Sequence, residues 1–260
     1  MFKKLLVGTS AIALAVASVP MFAAFEAHVI NVTAKIENAL NVHPESLEFG
    51  TVFPQESLES SFFIAFSTSF SEARQRRVGS VDYVIKQKPK PRPAFETQVG
   101  PVVARAWCHD NYPTEAYPGT TTQSQQSWTD YLANCYPSLC PYLSKHPDGL
   151  PLPSNDTGVN AFHDPWDPAS YAHGKLMKFN RFGTTSGNDP ADIWTVDLKV
   201  PCFTGACAQD WASFVHAQSP TADPAAYALP PQLEHEVFGC DLWVEVTKIY
   251  SEEPGPILNP

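Results

Sequence analysis

Six cysteines are the residues whose type and spacing point most directly to chemistry, and they stand at Cys108, Cys135, Cys140, Cys202, Cys207 and Cys240. Two pairs share one spacing, with four residues between the thiols and Pro137 or Gly205 within the interval. Six cysteines allow about 15 pairings, and the sequence alone does not choose among them. The short spacing favours local disulfides Cys135–Cys140 and Cys202–Cys207, in which case Cys108 and Cys240 would form a long-range bridge. Because zinc accepts cysteine pairs a few residues apart, a four-cysteine zinc site built from the two short pairs is the alternative.

Oxygen-bearing side chains concentrate in three short stretches of the sequence, 154–158, 163–167 and 188–192. Hard cations such as Ca²⁺ bind several carboxylate and carbonyl oxygens, and loops of this composition supply both kinds. The first candidates for calcium ligands are Asp156, Asp164 and Asp167, although their spacing matches no EF-hand loop. Asp and Asn beside Pro and Gly are also ordinary turn residues. The sequence therefore predicts no obligatory cofactor and leaves Ca²⁺ as a candidate.

Aromatic side chains are frequent in the same middle part of the chain. Those that could stack on a sugar ring are Trp107, Tyr112, Tyr117, Trp128, Trp166 and Tyr171. Large rings more often fill or cover a core, because each of them buries a wide apolar area. A glycan-binding face and a packed interior are thus two interpretations of the same residues.

Motifs of the common hydrolases and nucleotide-binding proteins are absent from the sequence. There is no Gly-x-Ser-x-Gly turn for a serine nucleophile. His235-Glu236 lacks the second histidine of a zinc-protease motif, and no glycine-rich phosphate loop occurs. The sequence therefore predicts no catalytic residues and a protein that is not an enzyme.

The first 24 residues have the composition of an export signal. Lys3 and Lys4 form a positive start, residues 5–22 carry no charge, and Ala23 and Ala24 follow. This order predicts a signal peptide over 1–24 and a protein that is secreted, to the extracellular space or the cell surface. An uncleaved anchor is the alternative, since an uncharged run of about 18 residues can just span a bilayer. No membrane span is expected after the signal is removed.

Composition and charge exclude one class of partner. The 43% hydrophobic content is enough to build a core, and 25 prolines favour short strands and stiff loops over long helices. The formal net charge of −10 has the wrong sign for nucleic-acid binding, which needs a dense basic surface. We therefore expect no nucleic-acid partner.

Alternating apolar residues predict strands on both sides of a long irregular middle. The predicted strands cover 29–36, 39–42, 47–52, 61–67, 81–87, 101–107, 194–200 and 240–249. Short helices are expected at 127–133 and 209–217. Short strands separated by turn residues predict an all-β fold, an antiparallel β-sandwich of the jelly-roll or Ig-like kind.

The C-terminal strands are too few for a sheet of their own, so we expect them to complete the N-terminal sandwich. This predicts a single β-sandwich domain over 25–250, with a long, loop-rich, disulfide-braced insertion at about 109–191. The proline-containing end of the chain, 251–260, is expected to be a flexible tail.

The segment that follows the signal alternates in the manner of a strand. Its apolar side chains are Val29, Ile30, Val32, Ala34 and Ile36. Signal removal would leave this segment near a new N-terminus, where it could add to the sheet of another copy. It is therefore the candidate donor strand for self-association.

The start of the chain resembles two kinds of exported β-protein. Residues 40–52, LNVHPESLEFGTV, resemble the opening of Ig-like domains that read v.P..l.FG.V. The start of the chain is also similar to the TasA/camelysin family of biofilm-fibre and surface proteins. Four features carry this resemblance: a lysine-bearing signal that ends near Ala24-Phe25, the Asn-Val-Thr sequence at 31–33, the Leu-Asn-Val sequence at 40–42 and the turn at 53–56. The whole pattern, including the ending from VDLKVPCF to CDLWVEV, is similar to exported bacterial Ig-like proteins of no assigned activity. The resemblance implies a jelly-roll sandwich that assembles into filaments by strand donation.

Three functions follow from these observations. The first is a secreted or cell-surface structural protein that associates with itself or with other cell-surface proteins, as in an extracellular filament. The alternative is a binding module that recognises a glycan or a protein through the 109–191 insertion. The third is a secreted enzyme, for which a convergent set of titratable groups would be needed.

Overall fold

The computed structural model describes residues 38–71, 78–150, 155–178 and 189–250. The predicted signal peptide at 1–24 and the predicted tail at 251–260 lie outside these residues. The predicted donor strand, with Val29, Ile30, Val32, Ala34 and Ile36, lies outside them as well.

The described part of the chain forms two antiparallel sheets. The strands are β1 (Leu40–His43), β2 (Ser57–Phe66), β3 (Ser80–Lys88), β4 (His146–Pro147), β5 (Ala172–Met177), β6 (Ala191–Lys199) and β7 (Asp241–Tyr250). The first sheet has the order β1-β2-β6-β4, and the second has the order β5-β3-β7. β2 pairs with β6 and β3 pairs with β7 over most of their lengths, so these four strands form the central part of the two sheets.

Period-two alternation explains how the strands divide their side chains between core and solvent. In β2, Phe62 and Ile64 are buried, whereas Phe63 between them is exposed. In β6, Trp194 and Val196 are buried in the same way, and Phe62 lies opposite Trp194 in the register of the two strands. Successive side chains of a strand point to opposite faces, so one face of the first sheet is apolar.

Both sheets contribute to one hydrophobic core. Ile64 and Val196 from the first sheet belong to the same cluster as Val81, Ile85 and Leu176 from the second. All five side chains are fully buried. Burial of apolar surface between the two sheets is therefore the main force that holds this part of the chain together.

Helices lie outside the sheets. They are α1 (Thr68–Ser71), α2 (Pro93–Val99), α3 (Pro101–Asp110), α4 (Thr122–Asn134) and α5 (Trp211–Gln218). α3 and α4 share a second, smaller core of Cys108, Trp128, Tyr131 and Cys135. The side chain of Thr121 accepts a hydrogen bond from the backbone N–H of Ser124 and caps the start of α4.

The predicted strands at 39–42, 61–67, 81–87, 194–200 and 240–249 are confirmed, as are the helices at 127–133 and 209–217. The predicted strand at 101–107 is wrong, because Pro101–Asp110 is helical with buried Ala104 and Cys108 one turn apart. The predicted strand at 47–52 is also wrong, because this stretch has no regular structure and Gly50 turns it with a φ of 71°. Two strands, β4 and β5, come from within 109–191, the interval predicted as an insertion.

Three disulfides join Cys108 to Cys135, Cys140 to Cys240 and Cys202 to Cys207. The predicted ring Cys202–Cys207 is confirmed, and the predicted pairs Cys135–Cys140 and Cys108–Cys240 are wrong. The reason is helical packing, since Cys108 and Cys135 meet in the small core of α3 and α4. Cys140 lies beside β7 instead, where the Leu139 N–H donates to the Gly239 carbonyl at 2.9 Å. With all six sulfurs in disulfides, the alternative four-cysteine zinc site is not formed.

In the described ranges, the helices are too short and too polar for any of them to cross a bilayer. Three disulfides indicate an oxidising environment outside the cytoplasm.

Candidate functional site

Three carboxylates converge where the two sheets meet, and we call Asp156, Asp189 and Asp192 the acidic cluster. Each offers one carboxylate oxygen, and the three oxygens lie within 4.8 Å of one another. Asp189 and Asp192 are buried, and Asp156 is half-buried. Aspartates at this separation repel each other when ionised, so the arrangement requires a compensating charge or proton.

The three aspartates come from three separate segments. Asp192 is the second residue of β6 and points to the inner face of the first sheet, between the exposed Ala191 and Ile193. Asp189 forms a two-bond backbone bridge with Met177 of β5, with N–O distances of 2.6 and 2.9 Å. Asp156 precedes the bridge of Thr157 to His173 in β5. The cluster therefore joins β6 of the first sheet to the surroundings of β5 in the second.

Asp156 is held in place by a backbone contact. One of its carboxylate oxygens, Oδ1, accepts the backbone N–H of Lys175 at 2.9 Å. The side chain of that lysine points elsewhere, and its Nζ lies 3.2 Å from Asp82. The cluster is thus oriented by β5 without use of the Lys175 charge.

Tyr83 and Trp194 orient Asp192 from the core side. The Tyr83 hydroxyl donates to Asp192 Oδ2, and the Trp194 indole Nε1–H donates to the Tyr83 oxygen at 2.7 Å. An indole can only donate, so the single hydroxyl proton of Tyr83 is directed to Asp192. Tyr83, Trp194 and Asp192 are each at most 1% exposed. The chain of hydrogen bonds is therefore fully enclosed.

Burial determines the protonation behaviour of the acidic cluster. It raises the pKa of Asp192 well above the ordinary range of an aspartate, although the Tyr83 hydrogen bond opposes the rise, and the neighbouring charges of Asp156 and Asp189 add to it. Burial and the charge of Asp156 raise the pKa of Asp189 in the same direction. Burial and Asp192 also raise the pKa of the Tyr83 hydroxyl far above its usual value. A bound cation or a shared proton would satisfy these groups.

Of the predicted calcium ligands, only Asp156 lies in the acidic cluster. Asp164 Oδ1 accepts the Trp166 backbone N–H at 3.0 Å, and Asp167 Oδ1 accepts the Ala169 backbone N–H at 2.9 Å. Both aspartates are exposed and stabilise local turns. Sequence reasoning noted the stretch 188–192 but missed its ligands. The sequence did contain a sign of Asp192. This residue lies two positions before Trp194 in β6, so both side chains point to the same, mostly apolar face of the strand.

A second buried polar group surrounds Lys145, whose side chain is fully buried. The Gln87 carboxamide lies 3.1 Å from Lys145 Nζ and 2.6 Å from His163 Nε2. Burial lowers the pKa of Lys145 to about 7. Burial and the neighbouring Lys145 charge lower the pKa of His163 to about 4. Near neutral pH, Lys145 therefore titrates between its charged and neutral forms, while His163 is neutral.

Serine, histidine and aspartate also meet at Ser144, His146 and Asp197. The Ser144 hydroxyl donates to Asp197 Oδ2 at 3.0 Å, and His146 Nε2 lies 3.3 Å from the same oxygen. Serine and histidine thus contact the carboxylate separately, which is not the serine–histidine–carboxylate order of a hydrolytic triad. Ser144 is also fully buried. These contacts fasten the β4 region to β6.

A cleft of about 420 Å³ lies beside α3 and α4. Trp107 and Tyr112 form part of its wall, and Glu115, Gln123 and Asp130 supply polar groups. Tyr112 also packs edge-on against Trp166, with ring centroids 5.0 Å apart. The cleft combines aromatic surface with hydrogen-bonding groups, which is the composition of a small-ligand site.

The aromatic residues predicted as a sugar-stacking face divide between core and surface. Tyr112, Tyr117 and Trp128 pack together beside α4, where Trp128 is buried. Tyr171 lies apart from them, under Lys86 of β3. Comparison of the chain with known protein families, characterised proteins and solved structures gives no match.

Proposed function

We propose that this protein is an exported structural protein of the cell surface that associates with other copies through strand pairing, as the subunit of an extracellular filament. The observation that carries the proposal is the outer edge of β7, which no strand of the described residues covers. This ten-residue strand pairs with β3 from Asp241 to Tyr250 on one side. No strand of the described ranges pairs with its other side.

A long edge strand is a site for another chain to bind. Its outward N–H and C=O groups can form a ladder with an added strand, and that ladder supplies most of the affinity. The first sheet has a second such edge at β1, which pairs only with β2 in the described part of the chain. The candidate donor is the alternating segment 29–36, which precedes β1 in the sequence.

The outer faces of the two sheets differ in character, which further supports association. On the second sheet, charges are paired, with Lys86 2.7 Å from Glu245. On the first sheet, Phe63 and Ile193 lie directly opposite each other and are 36% and 51% exposed. The ring of His43 lies 5.5 Å from that of Phe63. The exposed pair of Phe63 and Ile193 adds a hydrophobic patch beside the β1 edge, where another copy could bind.

We further propose that the two sheets form a sandwich of the jelly-roll or Ig-like kind. Their shared core and the contact of Tyr83 with Trp194, with ring centroids 6.4 Å apart, support a face-to-face arrangement. The three disulfides support export to an oxidising exterior.

The test is the assembly state of the exported protein, measured by light scattering and electron microscopy over a range of concentrations. We expect filaments or large oligomers from the full protein and monomers after deletion of 29–36. Deletion of 251–260 is the control for chain shortening and is expected to leave assembly intact. Hydrogen exchange locates the contact between copies, because the backbone amides on the outer edge of β7 should become protected only in the assembled state.

The proposal is wrong if the protein stays monomeric at all concentrations while the amides of 29–36 are already protected in the monomer. That outcome would place the segment in its own sheet, with no strand left to donate.

The cleft beside α3 and α4 favours a second candidate function, the binding of a glycan. Trp107 and Tyr112 are half-buried, so each presents part of a ring to the cleft. Asn111, Gln123 and Asp130 offer donors and acceptors beside them. Titration with soluble oligosaccharides should show binding that Trp107→Ala removes, whereas Tyr171→Ala, outside the cleft, should retain it. Equal binding by both variants would eliminate this function for the cleft.

A further inference from the structure

The acidic cluster has the position and the ligand chemistry of a cation site. Its three carboxylates come from segments that are distant in sequence, and they meet between β6 of the first sheet and β5 of the second. Oxygen atoms alone are present, which is the ligand type that hard cations prefer.

A second observation comes from Asp192 itself. Its side chain is fully buried, and its Oδ2 is already engaged by the Tyr83 hydroxyl. Its other oxygen, Oδ1, is buried and receives no hydrogen bond from any described residue. A buried carboxylate oxygen without a donor costs free energy. It is therefore an open ligand position beside Asp156 and Asp189.

The hydrogen bonds around Asp192 leave its Oδ1 side open. Trp194 donates to the Tyr83 oxygen, and the Tyr83 hydroxyl donates to Asp192 Oδ2. Among the described residues, no lysine, arginine or histidine forms an ion pair with Asp189 or Asp192. A bound cation would supply positive charge to these two carboxylates.

We propose that Asp156, Asp189 and Asp192 bind a Ca²⁺ ion that links the two sheets. Calcium holds oxygen ligands at about 2.3–2.6 Å, so two ligands on opposite sides of the ion stand roughly 5 Å apart. The three carboxylate oxygens lie within 4.8 Å of one another, which places all of them in reach of one ion. Mg²⁺ holds its ligands at about 2.0–2.1 Å in a strict octahedron and keeps several waters, so it suits a cluster of this spread less well.

The first experiment uses the exported, oxidised protein after removal of divalent cations. Tb³⁺, a luminescent substitute for Ca²⁺, should gain emission when indole is excited, because Trp194 lies one hydrogen-bonded residue from Asp192. Added Ca²⁺ should displace Tb³⁺ and abolish the emission. Ca²⁺ should also raise the unfolding temperature, since a ligand bound only to the folded state stabilises that state.

Variants locate the ion. Asp189→Asn and Asp156→Asn remove one ligand charge each with little change of shape, and each should weaken Ca²⁺ binding by about tenfold or more. Asp164→Asn and Asp167→Asn are the matched controls, because both aspartates are exposed turn residues outside the acidic cluster. The control variants should bind Ca²⁺ as the unmodified protein does. Asp156 is only half-buried, so its variant keeps the test valid if Asp189→Asn fails to fold.

Three outcomes would overturn the proposal. An unfolding temperature that Ca²⁺ leaves unchanged, together with no sensitised Tb³⁺ emission, would show that Asp189 and Asp192 share a proton instead of binding an ion. Binding that survives in both Asp189→Asn and Asp156→Asn would place the ion elsewhere. Saturation by Mg²⁺ at a lower concentration than by Ca²⁺ would refute calcium as the ion of this site.

Discussion

The Tyr83 hydroxyl, which comes from the second sheet, donates its hydrogen bond to Asp192 of the first sheet. Tyr83→Phe removes that donor and also leaves the Trp194 indole N–H without its acceptor. Two buried polar groups then lose a partner, so we expect the free energy of unfolding to fall by roughly 2–4 kcal/mol. Urea unfolding of the oxidised protein measures the loss. Tyr117→Phe is the control, because Tyr117 is half-buried at the edge of the small helical core, and an equal loss in both variants would contradict this account.

Gly174 is required by the packing of Tyr83. A Cβ atom added at Gly174 would stand 2.2 Å from the ring carbon Cζ of Tyr83, far inside van der Waals contact. We therefore expect Gly174→Ala to lower the free energy of unfolding by about 3 kcal/mol or more, because the ring is enclosed and cannot move aside. His173→Ala, at the exposed neighbouring position of β5, should change stability far less. Thermal unfolding of both variants compares the two losses of stability, and an equal loss would contradict the role of Gly174.

The disulfides should differ in their contribution to stability. Cys140 and Cys240 are 100 residues apart in the sequence, whereas Cys202 and Cys207 are separated by only 5. In the loop-entropy treatment the longer loop contributes about 4–5 kcal/mol and the short ring roughly 2 kcal/mol. Replacement of both cysteines of each pair by alanine, followed by urea unfolding, compares the two. Peptide mass spectrometry of the oxidised protein checks the connectivity, and a Cys135–Cys140 linkage would contradict it.

Lys145 should make stability depend on pH in the alkaline range. Its pKa is lowered to about 7 in the folded state, below the ordinary value for lysine in the unfolded chain. Between these two values the unfolded state binds the extra proton, so the free energy of unfolding should rise with pH by about 1.4 kcal/mol per unit. Below about pH 7 the residue is charged in both states, and its contribution becomes constant at its least favourable value.

Lys145→Met should remove this slope, because the substitution leaves no titrating amine in the buried position. Lys90→Met, at an exposed position, should retain the slope. Urea unfolding at several pH values above neutrality measures it. A slope of equal size in Lys145→Met would show that another group is responsible.

Strands with alternating or continuous apolar runs could be predicted from sequence. β3, β6 and β7 carry apolar side chains at alternate positions over most of their length, which only an extended chain places on one face. β5 was missed because Gly174 and His173 are weak strand formers, and its glycine is fixed by a contact with Tyr83 that no local pattern contains.

The stretch 101–107, with β-branched Val102 and Val103, predicts a strand from sequence alone. Its structure follows a different signal. A proline at its first position is favourable for a helix, and Ala104 and Cys108 fall four residues apart on the buried side. Val102 and Val103 are both exposed, so the apolar character that suggested a strand contributes nothing to a core.

The acidic cluster could be predicted only in part. Asp156 lies in a polar stretch that already indicated oxygen ligands. Its companions are brought to it by strand pairing over long sequence distances, since Asp189 is set by its bridge to Met177 and Asp192 by the register of β6. Disulfide pairing has the same origin, because six cysteines allow about 15 pairings and tertiary packing selects one.

The Cys140–Cys240 bridge has a mechanical consequence. When a protein is pulled by its ends, tension passes through covalent bonds, so a disulfide carries the load past the residues that it encloses. This bridge encloses β5, β6 and the acidic cluster within its 100-residue span. At about 3.5 Å per extended residue, it withholds roughly 350 Å of contour length from extension. A tethered chain of this design yields a shorter extension under force, because the enclosed residues can lengthen only after the sulfur–sulfur bond is reduced.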